Sequence, residues 1–134
     1  MTAFVSHTTI DCTDAFGLST WWKRVLGYAE MEDDPNRPGD EECMILDQST
    51  GHKLLFVEVP DAAEAKARCG KNRLHFDLRP RELSRDEELE GLLGSGATIV
   101  ADLRGKYGPG TGWVVLADPE GNEFCILRSN DELI

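Results

Sequence analysis

The chain has 134 residues, 40% of them hydrophobic, and 25 acidic against 14 basic side chains for a formal net charge of -11. That length suits one domain spanning residues 1–134 with a closed core, and the charge argues against nucleic acid or an anionic membrane as partner, since both would repel it. Cys12, Cys43, Cys69 and Cys125 form no C-x-x-C pair, which excludes a zinc knuckle or a thioredoxin-type motif. Met1-Thr2-Ala3-Phe4 runs straight into a strand pattern without a basic and apolar leader, so the expected compartment is the reducing cytoplasm.

Phe4 to Cys12 alternates apolar and polar residues around β-branched Val5, Thr8, Thr9 and Ile10, which predicts a strand with His7, Thr9 and Asp11 on one face. Asp14 is placed to cap the helix that follows. Leu18, Trp22, Val25 and Leu26 form that helix's apolar stripe, and Gly27 ends it. Trp22 fits the stripe, which leaves Trp21 for a cleft, an interface or solvent. Glu30 to Glu42 reads as an acidic loop, and Met44–Leu46 with Lys53–Val59 as a strand pair across a turn at Gly51 that leaves His52 solvated. Asp61 to Lys71 is a connector with one helical turn near Ala62–Ala65.

The second half repeats the first. Leu74–Leu78 is a strand containing His75, and Ser84 with Glu87 has capping-box spacing before a helix buried through Leu89, Leu92 and Leu93. Ala97–Asp102 is the next strand. Gly105 to Gly112, with four glycines around Tyr107, is either a mobile loop beside a binding site or an ordinary hairpin connection. Trp113–Leu116 and Glu123–Leu127 then pair around the Asp118-Pro119-Glu120-Gly121-Asn122 turn. The echo of Val115–Leu127 in Met44–Val57, together with Val25-Leu26-Gly27 against Leu92-Leu93-Gly94, predicts two tandem βαβββ units near residues 3–60 and 70–129.

The H-T-T-I-D-C-T-D start, the helix ending V-L-G-Y, the K-N-R-L-H-F-D-L segment and D-P-E-G-N-E-F-C together resemble the vicinal oxygen chelate superfamily, in its glyoxalase-like branch. That superfamily includes glyoxalase I, bleomycin-resistance proteins and extradiol dioxygenases. The resemblance spans His7 to Leu127 and implies an α+β fold in which two βαβββ units form a paired, half-open mixed-sheet barrel around a cleft. It also implies a divalent metal ion (Zn, Ni, Fe or Mn) held by His7 and His75, and a homodimer, to which a surplus apolar Trp21 would add a patch seeking cover. The usual third ligand, a glutamate, falls on Cys125, and the fourth on Leu55 or Val57, neither of which can ligate.

Strand alternation puts Glu123 on the same face as Cys125, so either Glu123 completes a two-histidine, one-carboxylate set or the Cys125 thiolate makes a softer site suited to zinc. Cys125 also reads simply as a small buried hydrophobe, and a strand histidine as a hydrogen-bonded structural residue. Glu58 has the opposite parity to Leu55 and Val57 and should point away from the cleft. Asp11 and Asp77 are expected to satisfy nearby backbone or pair with Arg73. Two functions follow. One is a metal-dependent lyase, isomerase or dioxygenase acting on a small oxygenated molecule, with Glu123 as catalytic base if it is not a ligand. The other is a metal-free protein that sequesters a small aromatic or antibiotic-like molecule, with Trp21, Tyr107, Trp113 and Arg104 lining its cleft.

Overall fold

The computed structural model describes residues 1–133, and the chain divides into two compact units, Met1–Arg68 and Cys69–Ile134. In the first, β1 (Thr8–Cys12), α1 (Ala15–Leu26), β2 (Ala29–Glu30), β3 (Glu42–Leu46) and β4 (Lys53–Glu58) follow in order. They give a four-stranded mixed sheet ordered β1-β4-β3-β2, with β1 parallel to β4 and the other pairs antiparallel. After helix α2 (Ala62–Cys69), the second unit repeats the pattern. Its elements are β5 (Phe76–Leu78), α3 (Arg85–Gly94), β6 (Thr98–Asp102), β7 (Val114–Ala117) and β8 (Glu123–Ile126), in a sheet ordered β5-β8-β7-β6. Both βαβββ units predicted from the tandem echo are therefore present, each with its own open sheet.

Local chemistry sets the helix ends where the sequence placed them. The Asp14 side chain accepts from the Gly17 N–H at 3.0 Å, and Gly27 closes α1 in the left-handed region at φ 70°. Ser84 and Glu87 complete a reciprocal capping box at the start of α3. The two Asp-led turns are related, the first being one residue longer. Asp47 N–H donates to His52 O and Gly51 N–H to Asp47 O, while Asp118 N–H donates to Asn122 O and Gly121 N–H to Asp118 O.

In the first unit, Cys43, Ile45, Leu54 and Phe56 are fully buried in two register pairs on the face that α1 covers. Both tryptophans of α1 are buried, Trp21 at 4% and Trp22 at 2% exposure, with rings edge-to-face at 5.0 Å. The expected split between a core Trp22 and an outward Trp21 is thus not met. Consecutive helical residues are about 100° apart, and the apolar face of a docked helix is at least that wide, so both rings fit. The exposed tryptophan invoked for self-association does not exist.

Several elements differ from the sequence reading. β1 begins at Thr8 and β5 at Phe76, because their parallel partners β4 and β8 begin only at Lys53 and Glu123. Phe4, Val5 and Leu74 are left 82–90% exposed. β2, two residues long, is too short to show alternation in the sequence. The connector carries a full eight-residue helix rather than a single turn. Among the described residues no helix is long and apolar enough to cross a membrane.

Candidate functional site

Parity within the second sheet sorts its side chains. Val114, Leu116, Phe124 and Ile126 are at most 1% exposed and share the side of α3, which contributes Leu89 and Leu92 to the core. The opposite face carries the alternate residues of three adjacent strands: Asp77 of β5, Glu123 and Cys125 of β8, Val115 and Ala117 of β7. Asp77 and Cys125 are register partners. His75, two residues before Asp77, has the same parity.

These alternations bring three donors together. His75, Asp77 and Cys125 each place a ligand atom so that all lie within 4.8 Å of one another, with His75 Nε2 3.3 Å from Asp77 Oδ1. Asp77 therefore pairs with His75, not with backbone or Arg73 as expected; its spacing from His75 on an alternating strand was the available signal. Cys125 is 5% exposed, and burial, reinforced by the Asp77 carboxylate beside it, pushes its thiol up to about 11. Glu123 sits on the same face with a side chain only 14% exposed, in an ion pair with Lys71 whose side chain is 61% exposed. That pair holds the Lys71 ammonium above its ordinary range.

The donor set fits a borderline ion. Zinc bonds of about 2.0–2.3 Å in a tetrahedron put donors roughly 3.5 Å apart, so the three side chains need close by only about an ångström. Three protein donors leave a fourth position open, the arrangement of catalytic rather than structural zinc sites. In the first unit, His7 precedes β1 with its Nδ1 3.0 Å from Ser6 Oγ. Glu58 takes the Ala15 N–H at 3.2 Å, on the α1 side of its sheet as its parity predicted. His52 is exposed, its Nδ1 2.7 Å from Tyr28 Oη.

Just beyond the ends of β5 and β8 and the start of β7, a cavity of about 280 Å³ opens. It is lined by Arg79, Tyr107, Trp113, Leu127, Arg128 and Leu133. Arg79, Leu127 and Trp113 continue the parity of Asp77, Cys125 and Val115, one alternation beyond them. Tyr107 stacks on Trp113 with ring centroids 6.0 Å apart and planes at 24°.

The glycine-rich segment is a hairpin connection that also shapes this cavity. Leu103 N–H donates to Trp113 O and Gly105 N–H to Thr111 O, both at 2.9 Å. Gly112 has φ 86°, and a Cβ there would lie 2.0 Å from Leu103 O, so no other residue fits without moving the chain. Arg85, buried at 6% exposure, donates through Nη1 to Thr111 O at 2.7 Å and Gly112 O at 2.9 Å.

Two expected cleft residues lie elsewhere. Trp21 belongs to the buried face of α1, and Arg104 is committed to Asp102 and Asp86 in an exposed cluster. Arg104 holds Asp102 down to about 2, chiefly through their hydrogen bonds. Since that pKa is depressed from 3.8, the cluster's contribution is complete above about pH 4 and is lost as the pH falls through about 2. An NMR titration of the Asp102 carboxyl should give a midpoint near 2, and a midpoint near 4 would show that Arg104 is free for other work.

The sequence from His7 to Leu127 matches the family model of the glyoxalase-like domain. The chain belongs to the glyoxalase-like domain family. The solved structures similar to this glyoxalase-like chain share its fold. A glyoxalase/bleomycin resistance protein/dioxygenase family enzyme from Burkholderia phytofirmans is 25% identical, with 92% of this chain and 97% of that one covered at a TM-score of 0.60. A protein from Agrobacterium tumefaciens is 17% identical over 94% and 97%, with a TM-score of 0.66. The fosfomycin resistance protein FosX from Listeria monocytogenes, solved with Mn(II) and 1S,2S-dihydroxypropylphosphonic acid, is 16% identical over 97% and 93%, with a TM-score of 0.64. No curated protein sequence matches the chain at a significant level.

Proposed function

We propose that this glyoxalase-like protein is a divalent-metal enzyme of the lyase or isomerase type acting on a small oxygenated molecule. The observation that carries the reading is the convergence of His75, Asp77 and Cys125 near the strand ends where a cavity opens. These three residues would hold the ion. When bound, the ion supplies Lewis acidity toward two adjacent substrate oxygens. The chain's own residues do the rest. Before an ion binds, Asp77 holds the His75 imidazole through their 3.3 Å contact, which coordination by all three residues would replace. Glu123, on the same face, is the carboxylate placed to take a proton from an acidic C–H bond, and Lys71 at the rim balances its charge. The reading includes a homodimer, to be sought as a dimer mass in sedimentation at micromolar concentration.

A metal-free sequestering function is the second reading. It is favoured by the same thiol, which in the free protein stays protonated at neutral pH, and by Glu123 already being neutralised by Lys71.

Proton release separates the two. A thiol with a pKa of about 11 must lose its proton to ligate, so zinc added at pH 7.5 should bind stoichiometrically and liberate about one proton per ion in weakly buffered solution. Neither saturable binding nor proton release in wild-type protein would leave the sequestering function in place.

A further inference from the structure

The cavity beyond Cys125 runs against the charge of the chain. In a protein of net charge -11 it is lined by two arginines, Arg79 and Arg128, and among the described residues neither has a carboxylate within 4.0 Å. Lys23, Lys71, Arg85 and Arg104 are all paired. The bonds that the two cavity arginines do make are to backbone: Arg79 Nη1 donates to Arg128 O at 2.8 Å, and Arg128 Nη1 to Glu132 O at 3.4 Å. Carbonyl oxygens fix the position of a guanidinium without neutralising it, so the remaining donors form a planar fork matched to a carboxylate.

The cavity's other surface is aromatic. Tyr107 is 65% exposed yet held parallel to Trp113, and Lys106 Nζ lies 5.6 Å from the Tyr107 ring centre, adding a third positive charge. The exposed Tyr107 ring, backed by Trp113, presents a flat apolar face, on which a second planar ring loses little conformational entropy when it binds. At about 280 Å³ the cavity is at the small end of the range for ligand sites, roughly 300–1,000 Å³, which fits one or two fused rings. The Gly112 backbone and the Arg85 clamp fix where Trp113 begins.

From these observations we infer that the cavity binds a planar aromatic carboxylate, its ring against Tyr107 and Trp113 and its carboxylate on Arg79 and Arg128. This rests on reading that sheet face as the binding surface, and it names the substrate class: an aromatic acid whose oxygenated substituent extends toward Cys125. Saturated acids lack the stacking face. Neutral aromatics leave two guanidiniums uncompensated.

Calorimetric titration of the wild-type protein with 2-naphthoate, 2-naphthalenemethanol and decahydro-2-naphthoate tests this without any variant. The aromatic acid should bind at least 10-fold more tightly than either the alcohol or the saturated acid, and inorganic phosphate should not displace it at equal concentration. Arg79→Gln should remove the preference for acid over alcohol, and Trp113→Leu the preference for aromatic over saturated acid. Equal affinity for the alcohol, or displacement by phosphate, overturns the proposal. Zinc titration of the same wild-type protein keeps its failure distinct from failure of the metal reading. Absence of the acid preference in protein that binds zinc stoichiometrically overturns the cavity proposal alone, and the preference in protein that binds no zinc overturns the metal reading alone.

Discussion

Replacing Arg85 with leucine should cost about 3 kcal/mol of stability, because hydrogen bonds to charged groups contribute about 1.5–3 kcal/mol each and two carbonyls lose their donor. Both are loop carbonyls, Thr111 O and Gly112 O, and leucine offers them nothing. Asp86 adds little, since its side chain is 60% exposed and water replaces the lost partner. At a few degrees of melting temperature per kcal/mol for a chain of this size, thermal unfolding should shift down by roughly 10 °C. Arg104→Leu supplies the contrast. Its guanidinium is 33% exposed and serves only surface carboxylates, so its loss should cost under about 1 kcal/mol. Similar melting curves for the two variants would show that burial does not distinguish these arginines. The consequence reaches the cavity as well, because the segment Arg85 holds leads directly into Trp113, and a loosened Gly112 frees the platform on which the ligand is expected to stack.

Repetition and parity made most of the fold legible. In both turns the Asp side chain accepts the N–H two residues on and its carbonyl accepts a glycine N–H, although the first turn is one residue longer, so the tandem echo reported a related turn chemistry rather than a coincidence of composition. Parity correctly sent Glu58 toward α1 and Glu123 to the face of Cys125. What parity alone leaves open is which residues on one face meet. For Asp77 the sequence offers neighbouring backbone or the opposite charge of Arg73, whereas alternation puts it beside His75 and the β5–β8 register sets it level with Cys125. Arg104 was expected at a cleft for its charge. Its partners Asp102 and Asp86 come from β6 and α3, and nothing in the spacing of sequence announces the second of them. The two arginines of the cavity were missed for the opposite reason. Arg79 and Arg128 lie just past the ends of β5 and β8, in a parallel pair whose register is invisible until the strands are paired.

Metal affinity should separate three ligand sets by orders of magnitude. If His75, Asp77 and Cys125 hold the ion, Cys125→Ser should abolish stoichiometric zinc binding, since a serine hydroxyl stays protonated where a thiol can be ionised by the metal. Glu123→Ala should then leave affinity nearly intact. The reverse pattern would return the site to Glu123 with His75, and would require Lys71 to release the carboxylate it now pairs with. Invariance of metal content in both variants, at zero, is the result for a sequestering protein. Asp77→Asn refines the first outcome, because the amide keeps the shape and hydrogen bond but not the charge. A loss of about 10- to 100-fold is what disturbing an orienting partner of a ligand produces, so a loss within that range would make Asp77 the group that positions His75, and a far larger one would make it a ligand. The 3.3 Å contact between Asp77 Oδ1 and His75 Nε2 weighs on this choice. An Nε2 that donates to Asp77 is not free to bind an ion, so coordination by all three residues requires that contact to be given up in favour of the metal. Zinc titration of Asp77→Asn therefore measures which of its two partners, imidazole or cation, the carboxylate serves.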